Sequence, residues 1–488
     1  MPPLLSKSKY VTGLQCPKLL WVLVHEPKRI PETDTVTQYM FDQGHLVGEY
    51  AKKLFPDGTD IPHDDFMGNI TTTRKLLAER RPLFEAGILA GAIYSRLDIL
   101  NPLGEDEWEI IEIKSGTSAK DVYVDDVSFQ KYCCGKAGLE IGACKLGFIN
   151  NQYVRQGAID PHKLFILEDV SARVEEASEG MEERIRGLLA AISNKTCPGA
   201  AIGPHCLAPY ECPLRAECWG LLPENSVFDL RGGKTAQFSL YEQGIMSIED
   251  IPDSIVLSRQ QRIQKECVMT GNVHVDKEEI GRFLDKLEYP LYYLDFETFG
   301  PAIPLYDGTR PYQDIPFQFS LHVVEDPASG PVHYSFLGDG TDDPRPQLLC
   351  ELQRVLGSEG SIIAYNAGFE EAILKGLAEA FPGYTDWLAG ILPRMVDLLH
   401  PFTNFHYYNA SQKDTASLKR VLPAVTGKSY DDLGIGAGMD ASIAYGRLVC
   451  GSATEEETTS IRANLLQYCG LDTEGMIWIV AKLRDLCR

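Results

Sequence analysis

Apolar and polar positions follow two periods along this chain, a period of two in short runs and a helical period in longer ones, and acids interrupt both. At Leu291-Tyr-Tyr-Leu-Asp-Phe-Glu-Thr-Phe299 an apolar run of strand length carries Asp295 and Glu297, one residue apart. Strand side chains alternate faces, so the two carboxylates project together. Side by side on a hydrophobic strand they repel each other and lose hydration, unless a divalent cation or a strong donor neutralises them. Taken alone, the pair is equally a metal site or the solvated end of a strand. Downstream, Ser361-Ile-Ile-Ala-Tyr-Asn-Ala-Gly-Phe-Glu370 predicts a buried strand running into a helix over residues 371–378, with Asn366 and Glu370 at the junction. A helical pattern from about Glu455 to Leu486 then places Tyr468 and Asp472 four residues apart, with Leu465 and Met476 on nearly the same stripe.

The first half carries a separate constellation. Residues 85–100 predict one strand or a tight hairpin, with Trp108-Glu-Ile-Ile-Glu-Ile-Lys114 as its neighbour. Glu112 and Lys114 then share a face. A bare Glu-x-Lys is most simply an exposed ion pair. Here it follows Arg-Leu-Asp98 and precedes a helix containing Gln130. Cysteines flank these residues, one in Cys16-Pro and three in Cys206-x5-Cys212-x5-Cys218. Four thiolates suit zinc, but the paired Cys-x2-Cys knuckles of zinc ribbons are absent. With 13 scattered cysteines and no apolar leader, the chain reads as a reduced cytoplasmic protein rather than a disulfide-bonded one. Cys197-Pro is the one further cysteine that competes as a ligand in any cluster that a family resemblance implies for these cysteines. Cys133, Cys134, Cys144, Cys267, Cys350, Cys450, Cys469 and Cys487 read as ordinary buried thiols.

At 488 residues, 44% hydrophobic and 24% charged, the chain suits a two-domain enzyme. No stretch is apolar enough to span a membrane, and no repeat or low-complexity tract points to a solenoid or disorder. The formal charge of -23 argues against a broad duplex-binding platform and favours local clusters and a channel that threads single strands. The charged stretch from Ser171 to Ile185 predicts one helix with a solvated face. Between the halves, residues 223–285 predict a helical connector. Its segment Leu240–Ile251 suggests a helical hairpin around Gly244, either presenting amides to phosphate or spacing two domains. Ser258–Lys265 predicts a helix that faces nucleic acid or is simply polar surface.

Asp-Phe-Glu on a strand, Asn-Ala-x-Phe-acid and Tyr-x-x-x-Asp on a late helix together resemble the DEDD exonucleases of the DnaQ-like group, in the tyrosine variant, over residues 286–488. The resemblance implies an α/β domain with a ribonuclease H-like fold and a mixed sheet. It further implies that Asp295, Glu297, Glu370 and Asp472 hold two Mg²⁺ or Mn²⁺ ions, while Tyr468 orients the attacking water. The family usually has aspartate where this chain has Glu370. Asp397, in Met-Val-Asp-Leu, is an alternative acid whose simplest role is a cap at a strand end. Such residues suit phosphodiester hydrolysis, because two cations about 3.5–4 Å apart stabilise the attacking and leaving oxygens together.

Asp98, Glu112, Lys114 and Gln130 resemble the PD-(D/E)xK nucleases with a restriction-endonuclease-like fold. The enclosing cysteines are similar to those of the RecB-like branch, which includes CRISPR-associated exonucleases. That resemblance covers residues 1–222. It implies that Asp98 and Glu112 bind Mg²⁺ or Mn²⁺ and that Lys114 positions water. It also implies a [4Fe-4S] cluster on Cys16, Cys206, Cys212 and Cys218 that closes a long loop. Two positions depart from the pattern: Gly48 stands where relatives carry histidine, leaving His45 beside it, and Tyr132 is displaced by two positions. Together the modules look like a bacterial fusion acting as a 3'-5' exonuclease on single-stranded or frayed DNA, with RNA as the alternative substrate. A protein that binds nucleic-acid ends with one or both centres inactive is the other reading. Repair, phage defence and CRISPR-associated processing all suit it.

Overall fold

In the computed structural model, which describes residues 4–430 and 438–488, the chain forms two units of mixed α/β structure. One comprises Met1–Leu221 with Pro301–Tyr312, and the other Leu222–Gly300 with Gln313–Arg488. Among the described residues no helix is long and apolar enough to cross a membrane.

The first unit is built on a seven-stranded mixed sheet. Its strands are β1 (Leu5–Ser6), β2 (Thr59–Asp60), β3 (Leu83–Ala90), β4 (Ile93–Leu103), β5 (Glu107–Lys114), β6 (Ile141–Ile149) and β7 (Phe165–Asp169). They lie in the order β2-β3-β4-β5-β6-β7, with β1 paired to β4. β3 and β4 are the tight hairpin, turned at Gly91 with φ +63. β5 and β6 run parallel and are joined through the helix Asp121–Lys136, as a parallel pair requires. That helix is buried on most sides, through Val124, Val127, Phe129, Cys133 and Cys134, and so its polar members are buried with it. The Ser171 stretch is two helices, Ser171–Ser178 and Met181–Ser193, because Gly180 takes a left-handed conformation between them.

The second unit has a five-stranded sheet in the order β11-β10-β9-β12-β13. These are β9 (Leu291–Phe299), β10 (Ile315–Val324), β11 (Val332–Leu337), β12 (Ser361–Ala364) and β13 (Met395–Asp397); β8 (His274–Val275) and β14 (Tyr407–Tyr408) form a separate pair. β9 is central, antiparallel to β10 and parallel to β12. Its alternation sorts the core. Tyr292, Leu294 and Phe296 pack with Leu348, Leu352 and Leu374 on one face, while Leu291 and Tyr293 pack with Met476, Ile479 and Leu483 on the other. Entry into β12 needs Gly360, at φ +83, where a Cβ would sit 2.0 Å from the Pro290 carbonyl.

A Thr454/Glu457 capping box starts the C-terminal helix Glu455–Cys487, which follows its pattern from the sequence closely. Residues 223–285 fold with the second unit and contain the helices Lys234–Glu242, Arg259–Thr270 and Lys277–Leu284. No helix forms between Gly244 and the Ser258 cap, so the hairpin over Leu240–Ile251 does not form; the chain instead bridges Ser247 to Ser226 and runs irregularly past Pro252. Pro252, without an N–H, and the polar residues around it do not sustain a helix there.

Candidate functional site

The apolar face of β9 that begins with Leu291 and Tyr293 continues into Asp295 and Glu297. The C-terminal helix over it makes the same change, from Leu483, Ile479 and Met476 to Asp472, Cys469 and Tyr468. Burying each of those apolar side chains contributes about 1.5–3 kcal/mol, enough to hold acid against acid. Glu297 is 7% exposed, Asp472 6% and Glu370 2%. Glu370 enters from the helix Ala367–Ala380, whose first residue follows Asn366 in a left-handed conformation. Asp397 accepts the Asn366 and Leu399 amides, the cap role expected of it.

Burial drives Asp295 well above the usual carboxylate range, and Asp472, Glu297 and Glu370 push it further. Glu297 is raised by burial and by Asp472 and Glu370, with Lys419 opposing. Burial holds Glu370 up at about 8, and Asp472 at about 6 despite the Tyr430 hydroxyl that donates to its Oδ1 at 2.5 Å. All four acids therefore sit in one low-dielectric field. Among the described residues Glu370 Oε2 is buried without a hydrogen-bond partner. Asp295, Glu297 and Cys469 each place a ligand atom within 4.8 Å of the others'. Lys419 lies 5.1 Å from the Tyr468 ring and 5.9 Å from that of Tyr430. Hard oxygen donors with unspent lone pairs fit one or two divalent cations. Lys419 and Tyr430 escaped the sequence reading, and Cys469, expected as a buried thiol, is buried but stands among the acids.

In the first unit, the β4–β5 register sets Ile99 opposite Ile111 and brings Asp98 to Glu112. Glu112, 2% exposed, accepts Lys114 Nζ at 2.7 Å and Gln130 Nε2 at 2.7 Å. Lys114 also meets Asp126 at 2.8 Å, and Asp98 accepts the Ile113 amide at 2.8 Å. All four residues singled out in this half therefore converge. Two others join them: Asp126, one turn before Gln130, and Lys7, which reaches Glu112 at 2.9 and 3.0 Å. The i, i+4 spacing of Asp126 and Gln130 was the available signal for the first. Tyr132 packs on the core instead, and His45 is exposed on the helix Thr35–Lys52.

Cys16 ends the helix Lys7–Gln15 in extended backbone, and Pro17 starts the next helix. Gln15 Nε2 donates to the His205 and Tyr210 carbonyls, which ties this corner to the late cysteines. Cys16, Cys206, Cys212 and Cys218 line one small cavity, with Lys18, His205 and Arg215 in its wall. Lys18 Nζ lies 3.2 Å from Cys218 Sγ. Burial raises the Cys212 thiol, and Cys16, Cys206 and Cys218 add to the shift. Cys197 packs nearby but does not line the cavity. None of the thirteen cysteines is in a disulfide; contrary to the sequence reading, Cys350 and Cys450 are exposed. Four free sulphurs around one cavity, beside cationic groups, suit a thiolate-ligated cluster.

Fold and sites define a mixed α/β protein with two acidic clusters and a cysteine-lined cavity. Residues 292–417 are similar to a domain of unknown function, DUF2779. That stretch holds Asp295, Glu297 and Glu370 and stops short of Tyr468 and Asp472. No curated protein matches the chain.

Proposed function

We propose that this protein is a metal-dependent nuclease that removes nucleotides from the 3' end of single-stranded or frayed DNA, with the acids of the second unit as its working centre. The observation that carries this reading is four carboxylates gathered together, Glu297, Glu370 and Asp472 buried and Asp295 half-buried, with one Glu370 oxygen that meets no donor among the described residues. A central β9 with antiparallel strands on one side and parallel strands on the other supports the ribonuclease H-like assignment.

Asp295, Glu297, Glu370 and Asp472 would hold the divalent ions. When bound, Mg²⁺ or Mn²⁺ supplies charge stabilisation to the attacking and leaving oxygens. Tyr468, whose buried hydroxyl stays protonated, orients water toward the phosphorus and can donate to the phosphate. Tyr430 fixes the Asp472 rotamer. Lys419 supplies the local positive charge that the chain as a whole lacks. In the first unit, Asp98 and Glu112 form a second, restriction-endonuclease-like centre with Lys114, and Cys16, Cys206, Cys212 and Cys218 hold a [4Fe-4S] cluster as a staple.

Digestion of 3'- and 5'-end-labelled single-stranded DNA and RNA with Mn²⁺ tests this. Stepwise shortening from the 3' end that Asp295→Ala abolishes supports the reading; activity confined to RNA replaces the substrate. Intact substrates under every condition would leave an end-binding protein. Visible absorption that Cys206→Ser bleaches tests the cluster separately.

A further inference from the structure

The acids of the first unit are already neutralised from within. Lys7 Nζ donates to Glu112 Oε1 at 2.9 Å and to Oε2 at 3.0 Å, and stands 3.6 Å from Asp98 Oδ1. Lys114 takes a second position on Oε1, and Gln130 a second on Oε2. Asp98 Oδ2 accepts the Ile113 amide. Both oxygens of the buried glutamate therefore face N–H donors, and an ammonium group occupies the place between the two acids where a bridging cation would bind.

Lys7 is not a mobile surface lysine. Ser6 caps the first turn of its helix. Tyr10, one turn on, is fully buried and stacks 4.8 Å from Phe129, on the helix that supplies Asp126 and Gln130. Gly13 lets the same helix approach Leu188, where a Cβ would lie 2.6 Å from a methyl. The helix then ends at Cys16, on the cysteine cavity. Although burial alone would favour the neutral amine, Asp98, Glu112 and Asp126 raise its pKa and keep the ammonium charged.

We propose that Lys7 is a built-in counter-ion of the Asp98/Glu112 centre, which binds a divalent cation only when the Lys7 ammonium is withdrawn. The inference rests on reading Asp98 and Glu112 as metal-binding acids. A phosphate of bound nucleic acid is a group that can draw the ammonium away, so metal and substrate would enter this centre together.

Mn²⁺ binding followed by electron paramagnetic resonance tests this, on the full chain carrying Asp295→Asn and Glu297→Gln to silence the second centre. Lys7→Gln, which keeps a donor and removes the charge, is expected to bind Mn²⁺ at least roughly tenfold more tightly than this parent, since like charges within hydrogen-bonding range strongly oppose each other. Lys7→Arg keeps the charge and should stay as weak as the parent. Equal affinities for parent and Lys7→Gln would overturn the proposal while leaving the metal reading intact. No binding by any variant would overturn both. Should Lys7→Gln fail to fold, the parent still decides: tight Mn²⁺ binding without nucleic acid, lost in Asp98→Asn, is incompatible with a resident counter-ion.

Discussion

The two acidic clusters solve the same electrostatic problem in opposite ways. In the first unit, Asp98, Glu112 and Asp126 are met by the ammonium groups of Lys7 and Lys114, with Gln130 filling a remaining lone pair. In the second, Asp295, Glu297, Glu370 and Asp472 crowd together, Lys419 bears on Glu297 and Asp472, and among the described residues one Glu370 oxygen has no donor. The first cluster is complete as a folded object. The second stores repulsion that a bound cation would release. Buried carboxylates thus divide into those the fold neutralises and those it leaves for a ligand, and the donors opposite each oxygen tell them apart.

The largest expected effect separates the clusters by activity. Asp295→Asn should lower the rate of 3'-end removal by about 10³-fold, because losing one of the acids that would hold the ions forfeits several kcal/mol of charge stabilisation. Asp98→Asn should act only on whatever activity belongs to the first unit. Labelled-oligonucleotide kinetics on both variants would break the comparison if Asp98→Asn removed the 3'-end activity and Asp295→Asn did not.

Stability against pH without metal is the next lever. Glu370, held up at about 8, and Asp472, at about 6, keep protons when folded that they lose when unfolded. Over the window from about 4.5 to 8 the native state binds more protons, so stability falls as pH rises, by several kcal/mol at most. Lys7 and Lys114 are also raised, but they start from a lysine value, so their stabilisation is fully present at neutral pH and is lost only above it. In EDTA, thermal unfolding of the second unit should therefore move down between pH 5 and 8 while that of the first stays level. Mn²⁺ should restore the second, because it favours the ionised acids. A level second transition in EDTA would mean that those acids find counter-charge elsewhere.

In both clusters the sequence exposes the residues that lie on one patterned element and hides those that arrive by tertiary packing. Asp295 with Glu297, and Tyr468 with Asp472, are local pairs on elements whose apolar background makes an acid conspicuous, and Glu370 follows a strand-to-helix switch that composition marks. Asp98, Glu112, Lys114 and Gln130 were legible in the same way. Lys7 was not, because its contact spans 105 residues and a lysine near the start of a polar helix gives no period to read. Lys419 and Tyr430 likewise reach their acids only through tertiary packing. The parallel and antiparallel neighbours of β9 could not be ordered from local pattern either, since a strand buried on both faces does not declare its partners. At Gly244 the turn forms without a hairpin, because Pro252 and its polar neighbours end the helical pattern first.

A smaller effect tests the water-orienting role. Tyr468→Phe removes one hydroxyl and leaves the four carboxylates in place, so it should slow turnover by about 10–10²-fold with Mn²⁺ affinity unchanged. Equal loss of metal affinity and turnover would make Tyr468 a structural support of Asp472 instead.

The smallest effect sharpens the comparison most, because it carries opposite signs in the two units. Glu370→Gln removes one of four mutually repelling carboxylates and gives a buried position an N–H donor among acceptors. In EDTA at pH 8 it should stabilise the protein by about 1 kcal/mol, while weakening Mn²⁺ binding. Asp98→Asn removes an acid that already has its partner, so the same conditions should show destabilisation as the Lys7 ammonium loses a counter-charge. Thermal unfolding and calorimetric Mn²⁺ titration of the two variants give four signs. If Glu370→Gln were destabilising in EDTA, its charge would already be compensated inside the fold, and the second cluster would be complete in the same sense as the first.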